Sequence, residues 1–147
     1  EAYGLFLLGP LWLEGRGLPA VQDGTERVDG QLCDVLLVWL RPGLGQVAQD
    51  RASLCVHRST GLVRRMRFTL EGVAGTRGAV ARVDTFDHED RFGVFWPMRP
   101  YEEVEHPLRL PAHDWHITGL DVNRGYGAAA LKGPQFQGAA AAPAKPL

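Results

Sequence analysis

Over short runs of the chain, apolar and polar side chains alternate. In residues 62–71 (LVRRMRFTLE), Met66, Phe68 and Leu70 alternate with Arg65, Arg67 and Thr69, and a period of two puts one set on a buried face and the other in water. Further β-rich runs occupy 31–40, 51–58, 79–88, 92–97, 99–105 and 115–123, in a stretch punctuated by Gly, Pro and Asp. The links between them are too short for crossover helices, so neighbouring strands are expected to pair as antiparallel hairpins. A spacing of roughly ten residues is the rhythm of all-β sheets and barrels. The prediction is a mainly β fold: a curved antiparallel sheet, a half-barrel built as a meander of about seven strands. Ahead of it, residues 3–13 (YGLFLLGPLWL) predict a short apolar helix or strand. That element is expected to end at Gly9-Pro10, because the residue before proline is pushed out of the helical region. The segment lacks the basic flank and small-residue cleavage site of a signal peptide. Some of its packing partners are expected in sequence upstream of Glu1, making this an N-terminally truncated domain.

Composition narrows the picture. Gly 18 and Pro 10 make up about a fifth of the 147 residues, which speaks for turns and against a helical bundle. Residues 1–126 are read as one β domain. Residues 127–147, rich in Ala, Gly and Pro, bury too little to offset the entropy of ordering and are read as a disordered tail. Sixteen basic residues against 17 acidic ones give a net charge of −1, which argues against a nucleic-acid surface. No run approaches the roughly 18 apolar residues of a membrane span.

The two cysteines fall on one predicted hairpin. With its turn centred on Leu44, Cys33 faces Cys55, with Cβ atoms about 4.5–5.5 Å apart, slightly wide for a disulfide. A cross-strand disulfide and a pair of small buried thiols stay open as alternatives, since a one-residue slip separates the two sulfurs.

Candidate chemistry is sparse. Of the five histidines, His113 and His116 flank Asp114 and Trp115 in the densest cluster. On a strand Asp114 and His116 share a face that His113 does not. Asp84, Asp87, His88, Glu89 and Asp90 form a second cluster, but neither has the ligand spacing of a known metal site. Arg64, Arg65 and Arg67 suggest either an anion contact or a wet face paired with Glu102, Glu103 and Glu105. No nucleophile elbow or phosphate loop is present. No catalytic residue, metal ligand or cofactor is therefore assigned. The large side chains are more informative. Trp39, Met66, Phe68, Phe95 and Trp96 are expected to line the concave face and bind an apolar or acylated ligand without catalysis. Two rival readings are a metal-assisted enzyme using His113, Asp114 and His116 with the Asp87–His88 loop, and a structural fragment with no activity of its own.

The order of short motifs supports the first reading. Gly9-Pro10-Leu11, Val28-Asp29-Gly30, Asp50 ahead of Leu54-Cys55-Val56-His57, Thr60-Gly61-Leu62-Val63-Arg64-Arg65 and Gly93-Val94-Phe95-Trp96-Pro97 follow one another. This succession resembles the LolA/LolB-like lipoprotein carrier superfamily of the bacterial envelope over residues 3–122. The resemblance implies an unclosed β-barrel with a helical lid, an apolar cavity for acyl chains, and a periplasmic or envelope location. The chain departs from that pattern in lacking an N-terminal helix and in having few strands before Gly30. No individual functional residue is carried over.

Overall fold

Two tight turns set the geometry of the sheet. Asp29-Gly30 has φ of 49° and 78°, and Phe92-Gly93 has 60° and 76°. Two successive residues with positive φ match the right-handed twist of the flanking strands and close a hairpin. These turns join β1 (Ala20–Val28) to β2 (Gln31–Leu40), and β5 (Val80–Arg91) to β6 (Val94–His106). Between and after them lie β3 (Asp50–His57), β4 (Val63–Thr69) and β7 (Leu110–Asp114). In this computed structural model, which describes residues 2–16, 18–44, 47–72, 75–123 and 125, the strands form one open sheet in sequence order. Every neighbouring pair is antiparallel.

The expected number of strands is present, but their membership differs. β1 carries almost no buried side chain, so it lacks the alternation that marks a half-buried strand. It is an edge strand with a register shift between Gln22 and Thr25, the kind of irregularity that blunts an exposed edge. The expected runs 92–97 and 99–105 are one strand, β6. Proline is confined to edge-like positions, and β7 pairs with β6 only from Tyr101 onward, so Pro97 and Pro100 lie where β6 has no ladder on that side. Residues 115–123 are not a strand. They trail from β7, tied back by Trp115 N–H to the Pro100 carbonyl and Ile117 N–H to the Met98 carbonyl, both 2.9 Å. The predicted tail, 127–147, lies outside the described residues.

The apolar N-terminal segment is helical: α1 (Ala2–Leu8) and α2 (Pro10–Glu14) meet at Gly9. Pro10 therefore begins a helix instead of ending one, as suits a residue without an N–H at the first helical position. Leu5, Phe6 and Leu13 are buried against Val38, Leu40, Ala52, Leu54, Met66 and Phe68, and the Phe6 and Phe68 ring centroids are 5.4 Å apart. Burial of each such side chain contributes about 1.5–3 kcal/mol, so this face of the sheet is the core. Among the described residues no helix is long and apolar enough to cross a membrane.

Candidate functional site

Strand periodicity carries residues 65 and 67 to the face opposite Met66 and Phe68. Arg65 lies directly across from Asp84, and Arg82 across from Glu103. The Arg65 fork donates to Asp84, while its Nη1 reaches Glu26 Oε1 on β1 at 2.8 Å. Arg67 donates to Glu26 Oε2 and Glu105 Oε2, each at 2.7 Å. Arg67 and Arg82 are direct neighbours of like charge, and both contact Glu105. The Arg67 hydrogen bond, joined by Arg65, outweighs burial and holds the Glu26 carboxyl down at about 2. Of the expected pairings of Arg64, Arg65 and Arg67 with Glu102, Glu103 and Glu105, only Arg67–Glu105 is seen among the described residues; Arg65 is held by Glu26 and Asp84, Glu103 by Arg82 and Arg109, and Glu102 by His113.

The sheet bends toward this charged face. Cα atoms of β1 and β3 approach within 8 Å across β2, where a flat sheet would hold them about 9.6 Å apart. Cys55 on β3 donates to Glu26 on β1 at 3.5 Å. Cys33 lies opposite His57 and Cys55 opposite Val35, so the register is two residues away from the expected one. The cysteines are therefore diagonal neighbours on one face, about 7–8 Å apart at Cα, beyond ordinary disulfide reach. Both are free and buried, in a small cluster with Val28 and Val35. Burial, reinforced by Glu26, pushes the Cys55 thiol up to about 12, so it carries little thiolate for reaction.

The five expected lining residues do not share one concave surface. Met66 and Phe68 lie on the helix-covered face, and Phe68 is sealed in the core. Trp39 sits across from Arg51 on the opposite face and is 41% exposed. Met66, Phe95 and Trp96 do meet, at a cavity of about 250 Å³ between the α1–α2 elbow and the ends of β4, β5 and β6. Phe95, 58% exposed, forms its rim. Trp96 is buried and anchored by its indole N–H to the Arg91 carbonyl at 2.9 Å. Leu8, Leu11 and Leu62 complete an apolar wall that the size-based expectation missed. Their signal was the helix elbow, since Gly9 and Pro10 turn the two apolar helix ends toward the strand tips.

Two polar side chains enter that wall. Thr85 donates to the Val63 carbonyl at 2.6 Å. His88 is the only titratable residue of the lining. Burial, aided by the Arg64 charge, pulls its pKa down against the opposing pull of the Val63 carbonyl and Asp87.

The histidine-rich stretch is not gathered into one site. His113 meets Glu102 at 2.5 Å and packs on Trp115, with ring centroids 5.4 Å apart. Asp114 leaves β7 on the other face, where the Arg99 fork grips it and lowers its pKa, and His116 approaches to 3.5 Å. The second cluster is dispersed as well: Asp84 is buried among arginines, and Glu89 pairs with Arg91. Among the described residues no three His, Cys, Asp or Glu side chains could hold a metal ion together.

The fold and its cavity define a class by architecture: an open seven-stranded antiparallel meander with a helical elbow over one face. No family model, no curated protein and no solved structure matches the chain.

Proposed function

We propose that the protein binds an apolar or acylated chain, without catalysis, in the cavity between the α1–α2 elbow and the tips of β4–β6. The observation that carries this reading is the cavity itself: about 250 Å³, walled by Leu8, Leu11, Leu62, Met66, Phe95 and Trp96. Transfer of a chain from water into such a wall is favourable by about 0.8 kcal/mol per methylene, before the cost of association. A kinship with lipoprotein carriers, and with it a place in the bacterial envelope, is part of the proposal and rests on the turn motifs. The resemblance implies a helical lid, and a helical segment does lie over one face of the open sheet, on the side opposite to its bend.

Displacement of a fluorescent fatty acid tests the reading. The native chain should show saturable binding, and Leu62→Trp, which fills the cavity, should weaken it by about tenfold or more with little change in thermal unfolding. Absence of saturable binding by the native chain would overturn it.

A further inference from the structure

A break in the pleat of β5 brings a histidine into the apolar wall. Val83 and Thr85 are buried on the helix side of the strand, Val83 directly across from Met66 and Thr85 in the cavity wall. Unbroken alternation would turn residue 87 to that side next and send residue 88 to the charged face. Asp87 instead holds φ of 52°, in the left-handed region that aspartate tolerates better than most residues. It is exposed, and half-buried His88 lines the cavity in its place. As in a β-bulge, a local irregularity re-aims one side chain. The other side chains that α1, α2, the turn ahead of β4, β4 and β6 present to the cavity are all uncharged. Burial, then the charge of Arg64 on β4, disfavours an imidazolium there and outweighs the Val63 carbonyl and Asp87, so the ring stays neutral to below its ordinary 6.5.

Resting on the reading that the cavity takes an apolar chain, we infer that His88 is an acid-operated release switch: its neutral ring completes the wall, and a proton taken up there expels the chain. The cause is desolvation. A bound chain displaces water from the ring, and an imidazolium deprived of water in an uncharged wall is costly. Chain and proton therefore compete for the cavity. By linkage, the bound chain lowers the His88 pKa further, so affinity is full above the pKa of the empty protein and is lost as the pH falls through it. Thr85, whose hydroxyl donates to the Val63 carbonyl at 2.6 Å, does not titrate in this range and remains a fixed part of the wall. Histidine is the side chain whose charge can change under mildly acidic conditions.

Calorimetric titration with decanol, which is uncharged throughout, tests this between pH 7.5 and pH 4.5. The native chain should bind about tenfold more weakly at the acid end, whereas His88→Gln and His88→Phe should bind with the same affinity at both. Nuclear magnetic resonance of the His88 ring gives a second reading on the native protein: its titration midpoint should lie about one pH unit lower when decanol fills the cavity. A native affinity that stays level, a loss on acidification that survives in both variants, or a ring midpoint that decanol does not move overturns the switch while leaving the apolar cavity intact. If decanol binds at neither pH, the cavity reading fails and this inference with it.

Discussion

On one face of the sheet Met66 and Phe68 lie under α1 and α2, while on the other their strand neighbours Arg65 and Arg67 are clamped by Glu26, Asp84 and Glu105. The two faces solve the same problem differently. The apolar face is covered by the chain's own helices, and its stabilisation scales with the area removed from water. The charged face lacks that cover and is closed by side chains of four strands, β1, β4, β5 and β6, that neutralise one another. Apolar packing loses stability in proportion to the volume removed, whereas a charge network depends on every member being present. The comparison also explains why the cavity forms on the helix side. Only there do two independently directed apolar surfaces, helix and sheet, meet at an angle and leave a gap at their junction.

The largest expected effect lies on the apolar face. Phe68→Ala should cost about 3–5 kcal/mol in denaturant unfolding, because Phe68 is 1% exposed and packs against the tilted Phe6 ring. A loss below 1 kcal/mol would mean that the helices do not press on the sheet.

On the charged face, Glu26→Gln removes the acceptor shared by Arg65 and Arg67 and should cost about 2 kcal/mol at pH 7. That is less than for a fully buried pair, because the carboxylate keeps some solvent contact. The same group sets a pH dependence. Its folded pKa of about 2 is below the ordinary 4.5, so its stabilisation is complete above pH 4.5 and drains away as the pH falls toward 2. Denaturant midpoints of the native chain and Glu26→Gln should therefore converge on acidification. A gap that stays constant from pH 7 to pH 2.5 would assign the effect to packing instead of charge.

The smallest effect is a gain. Phe92 holds φ of 60° in the β5–β6 turn with 60% of its surface exposed, a conformation that suits Asn far better than an aromatic residue. Phe92→Asn should raise stability by about 1 kcal/mol. Destabilisation would show that the ring makes a contact worth more than its backbone strain.

Much of the fold was legible because periodicity is local. The alternation through Met66 and Phe68 points to antiparallel hairpins without reference to distant residues, whereas the β5–β6 turn at Phe92-Gly93 fell inside the expected run 92–97. β1 was not legible, since an exposed edge strand carries no apolar alternation. The Cys33–Cys55 geometry failed for another reason: the β2–β3 loop shifts the register by two residues, which preserves the face but replaces direct opposition with a diagonal. Trp39 and Phe95 were chosen for size, and size does not report which side of a pleat a ring occupies. Glu26 could not be assigned to Arg65 and Arg67, because 39 and 41 residues separate the partners and their meeting depends on the bend of the sheet.

By itself the sequence determined the class of structure: antiparallel hairpins joined by tight turns, with an apolar segment ahead of them. Those properties follow from backbone preferences and side-chain period, which act over a few residues. Tertiary structure alone decided that the helices cover one face, that arginines and carboxylates close the other, and that a cavity opens at the helix elbow. Each of these depends on distances between residues far apart in the chain, set by register and curvature accumulated over several strands.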